Sequence, residues 1–83
     1  MNGKVIAVNH RLGAIVAETD AYEHVILEAH GRVEAEIGDE LEADWTTLGK
    51  VVVQNLTKGG QMAVMLQITG ISRNDAIART TVV

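Results

Sequence analysis

The sequence predicts an all-β protein, a small antiparallel barrel of five to six strands closed off by a short C-terminal helix. Three observations carry that expectation. Val and Ile number 11 and 7 against 6 Leu, and such β-branched side chains are stiff at χ1 and pack well on a pleated surface. Gly, Asn or Asp interrupts the chain every 8–12 residues or so, the spacing of a meander or barrel. Between the interruptions apolar and polar residues alternate with period two, which sends one set to each face of a strand. At 83 residues the chain makes one domain, 1–83, too short for two independent cores.

Lys4–Asn9 reads as the first strand, and Ala14–Thr19 returns as the second. The turn between them contains Asn9 and Gly13, both tolerant of a left-handed backbone. After Asp20-Ala21-Tyr22, Glu23–Ala29 forms the third strand, which Gly31 ends. Val33, Ala35 and Ile37 then alternate with Arg32, Glu34 and Glu36. Beyond Gly38-Asp39, Leu41, Ala43 and Trp45 alternate with Glu40, Glu42 and Asp44. Both stretches are read as strands with carboxylates on one face and apolar residues on the other. Lys50–Thr57 and Gln61–Thr69 flank Lys58-Gly59-Gly60, a strong hairpin signal. Ser72-Arg73-Asn74-Asp75 resembles a capping box with Asp for Glu, so a helix is expected over about 72–80. A helix of two turns is marginal alone, and Ile71 and Ile77 are expected to hold it on the barrel.

Charge is uneven. Residues 1–44 carry a net of −7 and residues 45–83 a net of +3, giving −4 in all. Six acids and no base fall between Glu34 and Asp44, and the strand reading places them on a solvated outer face. There is no Cys, so disulfides and thiolate chemistry are excluded. No apolar run approaches the roughly 18–20 residues that span a bilayer, and no basic leader precedes the first strand. The chain is therefore expected to be cytoplasmic and without a membrane partner.

Little chemistry is legible. His10, His24 and His30 are the only imidazoles, and no pair has H-x-H or H-x₃-H spacing. They are read as surface or turn residues, and no metal ligand or cofactor is assigned. Ser72, the single Ser, is taken by the helix cap, and the carboxylates lie in water, where their pKa values stay ordinary. No catalytic residue is assigned, and an enzyme is not expected.

One anomaly stands out. Met62, Val64, Leu66 and Ile68 suffice for the inward face of their strand, yet Ala63 and Met65 on the opposite face are apolar too, with Val52 beside them. A strand apolar on both faces is either covered or part of an interface. Val52, Ala63 and Met65 are the candidate interface, to be covered by the helix or by a second copy of the chain.

The run from Gly3 to Val16 resembles the opening hairpin of cold-shock and S1-like OB-fold domains, with Gly3, Val5, Asn9 and Gly13 in register. Ile37-Gly38-Asp39-Glu40-Leu41 is similar to a later segment of the same barrels. The resemblance covers about half the chain and implies an OB-like or SH3-like barrel. In those families exposed aromatics of the first two strands stack on bases, interleaved with Lys and Arg. Ala7, Val8, Ala14 and Val16 hold the corresponding positions here. The first functional expectation is therefore a non-enzymatic interaction or self-assembly module, acting through apolar strand faces or sheet edges. The alternative is weak, salt-sensitive binding of RNA or single-stranded DNA through Arg11, Lys50, Lys58, Arg73 and Arg79, with the acidic stretch opposing phosphate.

Overall fold

A computed structural model describes residues 2–29 and 33–81, with the side chain of residue 81 left aside. Six strands run β1 (Asn2–Asn9), β2 (Ala14–Thr19), β3 (His24–Ala29), β4 (Glu40–Glu42), β5 (Gly49–Asn55) and β6 (Gln61–Ile71), followed by helix α1 (Arg73–Thr81). They close into a barrel in the order β1-β2-β3-β6-β5-β4, every pairing antiparallel. Two three-stranded meanders, β1-β2-β3 and β4-β5-β6, meet at the β3–β6 and β1–β4 seams. The expected all-β barrel with a C-terminal helix is observed. Among the described residues no helix is long and apolar enough to cross a membrane.

Period-two alternation fills the interior. Val5, Ile15, Ala17, Val25, Leu27, Leu41, Val53, Val64 and Leu66 point inward and pack with Val33, Ala35 and Trp45. Burying an aliphatic side chain of this size contributes about 1.5–3 kcal/mol, and here one contiguous cluster gathers nearly all of them. Gly3 is buried beside that cluster. A Cβ there would come within 3.3 Å of both the Glu18 carbonyl oxygen and the Trp45 ring, so the bare backbone is what lets Trp45 seal that end.

One of the anticipated strands is replaced by irregular structure and another is cut short. The 33–36 stretch is irregular, although Val33 and Ala35 still point inward, and Arg32 lies outside the described residues. Its alternation stops at Glu36, whose carbonyl accepts the Asp39 N–H in a turn with Gly38 at φ 96°. That turn throws Ile37 outward, 70% exposed, where alternation alone placed it inside. Likewise the stretch from Leu41 to Trp45 shortens to the three residues of β4. Asp44 ends the alternation by accepting bonds from the Thr46 N–H and the Thr46 and Thr47 hydroxyls.

Bulges on β1 and β6 build a second, smaller core outside the barrel. Register shifts between Val5 and Ala7 on β1, so Val5 faces the interior while Ala7 stands opposite Val16 on the outer surface. On β6 the pairing passes from Leu66 opposite Leu27 to Ile68 opposite Ile26, leaving Gln67 as the extra residue. An extra residue reverses the side on which the following side chains emerge. Ile68, expected inside the barrel, therefore joins Ile6, Ala7, Val16, Ile26 and Ile71 outside it.

Helix α1 lies on this patch, against β1, β2 and β3. Ser72 Oγ accepts the Asp75 N–H at 3.2 Å, the cap that the sequence implies. Ala76, fully buried, rather than Ile77, sits at the centre of the contact. At the far end the Asn9 side-chain amide donates to the Thr80 carbonyl, tying the last turn to the end of β1.

The β2–β3 turn stores a local cost. Tyr22 has φ 60°, the one non-glycine residue with positive φ among those described. It donates its N–H to the Thr19 carbonyl at 2.9 Å, while Thr19 donates to Glu23 at 2.8 Å. This is the three-residue hairpin loop whose last position prefers Gly. With its ring 83% exposed, Tyr22 gains little burial in return. Tyr22→Gly is expected to raise the unfolding free energy by about 0.5–1 kcal/mol, the left-handed penalty of ~1–2 less the greater chain entropy of Gly. Urea titration followed by Trp45 fluorescence measures this, and a loss of stability would show that the tyrosine ring contributes there.

Candidate functional site

The site is built on β5 and β6, with β3 at its margin. Val51 and Val53 point inward from β5, so Lys50, Val52 and Gln54 point outward. On β6 Val64 and Leu66 point inward, so Ala63 and Met65 point outward. Register then sets the rows: Val52 lies opposite Ala63, and Met65 lies between Lys50 on β5 and Glu28 on β3. Val52 is 54% exposed and Leu48, just before β5, 59%. Ala63 is exposed and Met65 half-buried.

The structure thus brings Val52, Ala63 and Met65 together on one outer surface. Helix α1, one of the two covers considered for it, lies on β1, β2 and β3 instead. Sequence reasoning missed Glu28, which joins the surface only through the β3–β6 register. A shallow depression of about 500 Å³ flanks Val52, lined by Glu42, Ala43, Asp44, Trp45 and Gln54. The Thr46 hydroxyl, then its backbone N–H and the Thr47 hydroxyl, hold the Asp44 carboxyl below its usual pKa.

The five basic candidates do not form one surface. Lys50 belongs to the β5–β6 face, and Arg73 begins the helix. Arg11 and Arg79 approach the same end of the barrel, because Asn9 bonds both the Arg11 N–H and the Thr80 carbonyl. Lys58 is engaged: its Nζ lies 3.2 Å from Glu36 Oε1 and 3.5 Å from Asp39 Oδ2. Desolvation lowers the Lys58 pKa, but the Glu36 bond and the Asp39 charge outweigh it and the net shift is upward.

Asp39 anchors a polar knot beneath that lysine. It is buried, and its Oδ2 accepts from the Asn55 side-chain amide at 2.9 Å and the Glu36 N–H at 3.0 Å. The Asn55 bond foremost, with those from Glu36 and Lys58, lowers the Asp39 pKa against the upward push of burial. Asn55 Oδ1 in turn accepts the Thr57 and Lys58 N–H groups, shaping the β5–β6 turn.

His24 also departs from expectation. Rather than lying on the surface it is buried, with Nε2 2.9 Å from Glu18 Oε2, its cross-strand partner. His10 is exposed in the β1–β2 turn, and His30 lies outside the described residues.

Compared with known proteins, the chain has no significant match to a model of a protein family, to a curated protein or to a solved structure.

Proposed function

We propose that the protein is a non-enzymatic interaction module whose contact surface is the outer face of β5 and β6. The observation that carries this is the apolar stripe of Val52, Ala63 and Met65 on the outer face, which helix α1, packed against β1, β2 and β3, does not cover among the described residues. Burial of apolar area drives most protein association, and an exposed β-branched residue on a strand pair of uninterrupted register supplies it with little loss of side-chain freedom. Nucleic-acid binding through an OB-like barrel has less support. Lys58 is held by two carboxylates, the remaining bases are dispersed, and the positions expected to carry aromatics hold Ala and Val.

A photo-cross-linking residue placed at position 52, in cells, tests the reading. Protein adducts are expected from position 52, reduced several-fold when Met65→Glu is added, and absent from the same group placed at the exposed position 20. Equal labelling from both positions, or none from position 52, would overturn it.

A further inference from the structure

We infer that the occupant of this face is a second copy of the same chain, related by a two-fold axis running along β6. The inference rests on the interaction-surface reading above and adds the partner and its arrangement. Its basis is the row Glu28–Met65–Lys50, which crosses three adjacent strands on the outer surface. Strands lie about 4.8 Å apart, so the carboxylate and the ammonium stem from backbone positions about 10 Å apart, symmetric about Met65.

A two-fold operation along β6 exchanges the two flanks of that row. It sets Glu28 of each copy over Lys50 of the other and brings Met65 and Ala63 against their own counterparts. Two-fold interfaces require such self-complementarity, in which residue i meets j and j meets i. A row carrying opposite charges equally spaced on either side of an apolar centre fulfils it without any further partner. Among the described residues neither Glu28 nor Lys50 makes an ion pair within the chain. A standard interface takes about 800 Å² from each partner, about a sixth of the 4796 Å² surface of this chain.

The arrangement makes an unusual demand on charge variants. In a homodimer Glu28→Lys sets Lys against Lys twice, and Lys50→Glu sets Glu against Glu twice. Mixed together, the two variants pair opposite charges at both contacts. Both positions are exposed, so both variants are expected to fold, as near-wild-type melting temperatures would verify.

Sedimentation velocity of the intact chain is the experiment. The wild type is expected to dimerise, each single variant to associate at least about tenfold more weakly, and their equimolar mixture to recover affinity to within about threefold of wild type. A wild-type dimer whose affinity ignores the single variants, or whose mixture gives no recovery, overturns the two-fold arrangement. A wild type that stays monomeric at high concentration while position 52 still cross-links to another protein overturns the second copy and leaves the surface standing. No dimer and no cross-link removes both.

Discussion

Leu41→Ala is expected to remove about 3 kcal/mol of stability, the middle of the ~2–5 range for emptying a buried Leu site. Leu41 is fully buried and lies on a strand of only three residues. That strand joins β1 to β5, pairing Leu41 with Gly3 on one side and Asn55 on the other. Truncation here both opens a cavity and loosens the element that completes the barrel. A domain of this length has roughly 4–12 kcal/mol in total, so the variant should be partly unfolded at modest urea concentrations. Leu56→Ala, at a half-exposed turn position, should change stability by no more than about 0.5 kcal/mol. Trp45, buried and the single Trp, reports both by fluorescence during urea titration. A loss below about 1 kcal/mol at Leu41 would show that β4 is dispensable for closure.

Asp39→Ala should cost about 3 kcal/mol at neutral pH, because each buried donor left without an acceptor costs about 1–3 kcal/mol. The orphaned donors are the Asn55 amide and the Glu36 N–H, and Lys58 loses one of its two carboxylates. The effect should fade in acid. The Asp39 pKa in the folded chain is depressed below the ordinary 3.8, so its contribution is complete above the unfolded-state pKa of about 3.9. It is lost as pH falls through the lower folded-state value, where protonation removes the charge that Lys58 and Asn55 address. Urea midpoints of wild type and Asp39→Asn should therefore differ by a constant amount from pH 7 to about pH 5 and converge in stronger acid. A gap that persists unchanged to pH 2 would assign the stabilisation to shape rather than to charge.

Much of the barrel is legible in the sequence because it is decided locally. β1, β2, β3 and β5 fall within two residues of the spans that alternation and Gly/Asn punctuation predict, and Ser72 caps the helix as its spacing implies. What escapes is whatever depends on a partner strand. The bulges at Ile6 and Gln67 follow from register, and they decide that Ile68 faces the helix rather than the interior. The Glu18–His24 pair is a cross-strand contact that no spacing rule reveals. At Ile37 a strong period-two signal yields to one turn, in which Gly38 and the Asp39 bonds determine the path. On the candidate surface, Val52, Ala63 and Met65 were visible as an excess of apolar residues, but the charged flanks Glu28 and Lys50 become a matched pair only when β3, β6 and β5 are laid side by side.

The brevity of β4 also bears on how the chain could misassemble. Three residues supply the hydrogen bonds that occupy the margins of β1 and β5 at once. If β4 detaches, two strand margins open together. On β5 the pairing reaches only Gln54 and Asn55, next to Val51-Val52-Val53 in a strand with no acidic residue from Gly49 to Asn55, so loss of β4 would lengthen a margin of the type that templates cross-β growth. While β4 holds, the end of β5 beside that valine run stays occupied at Gln54 and Asn55, which shortens the edge that another chain could extend into a fibre.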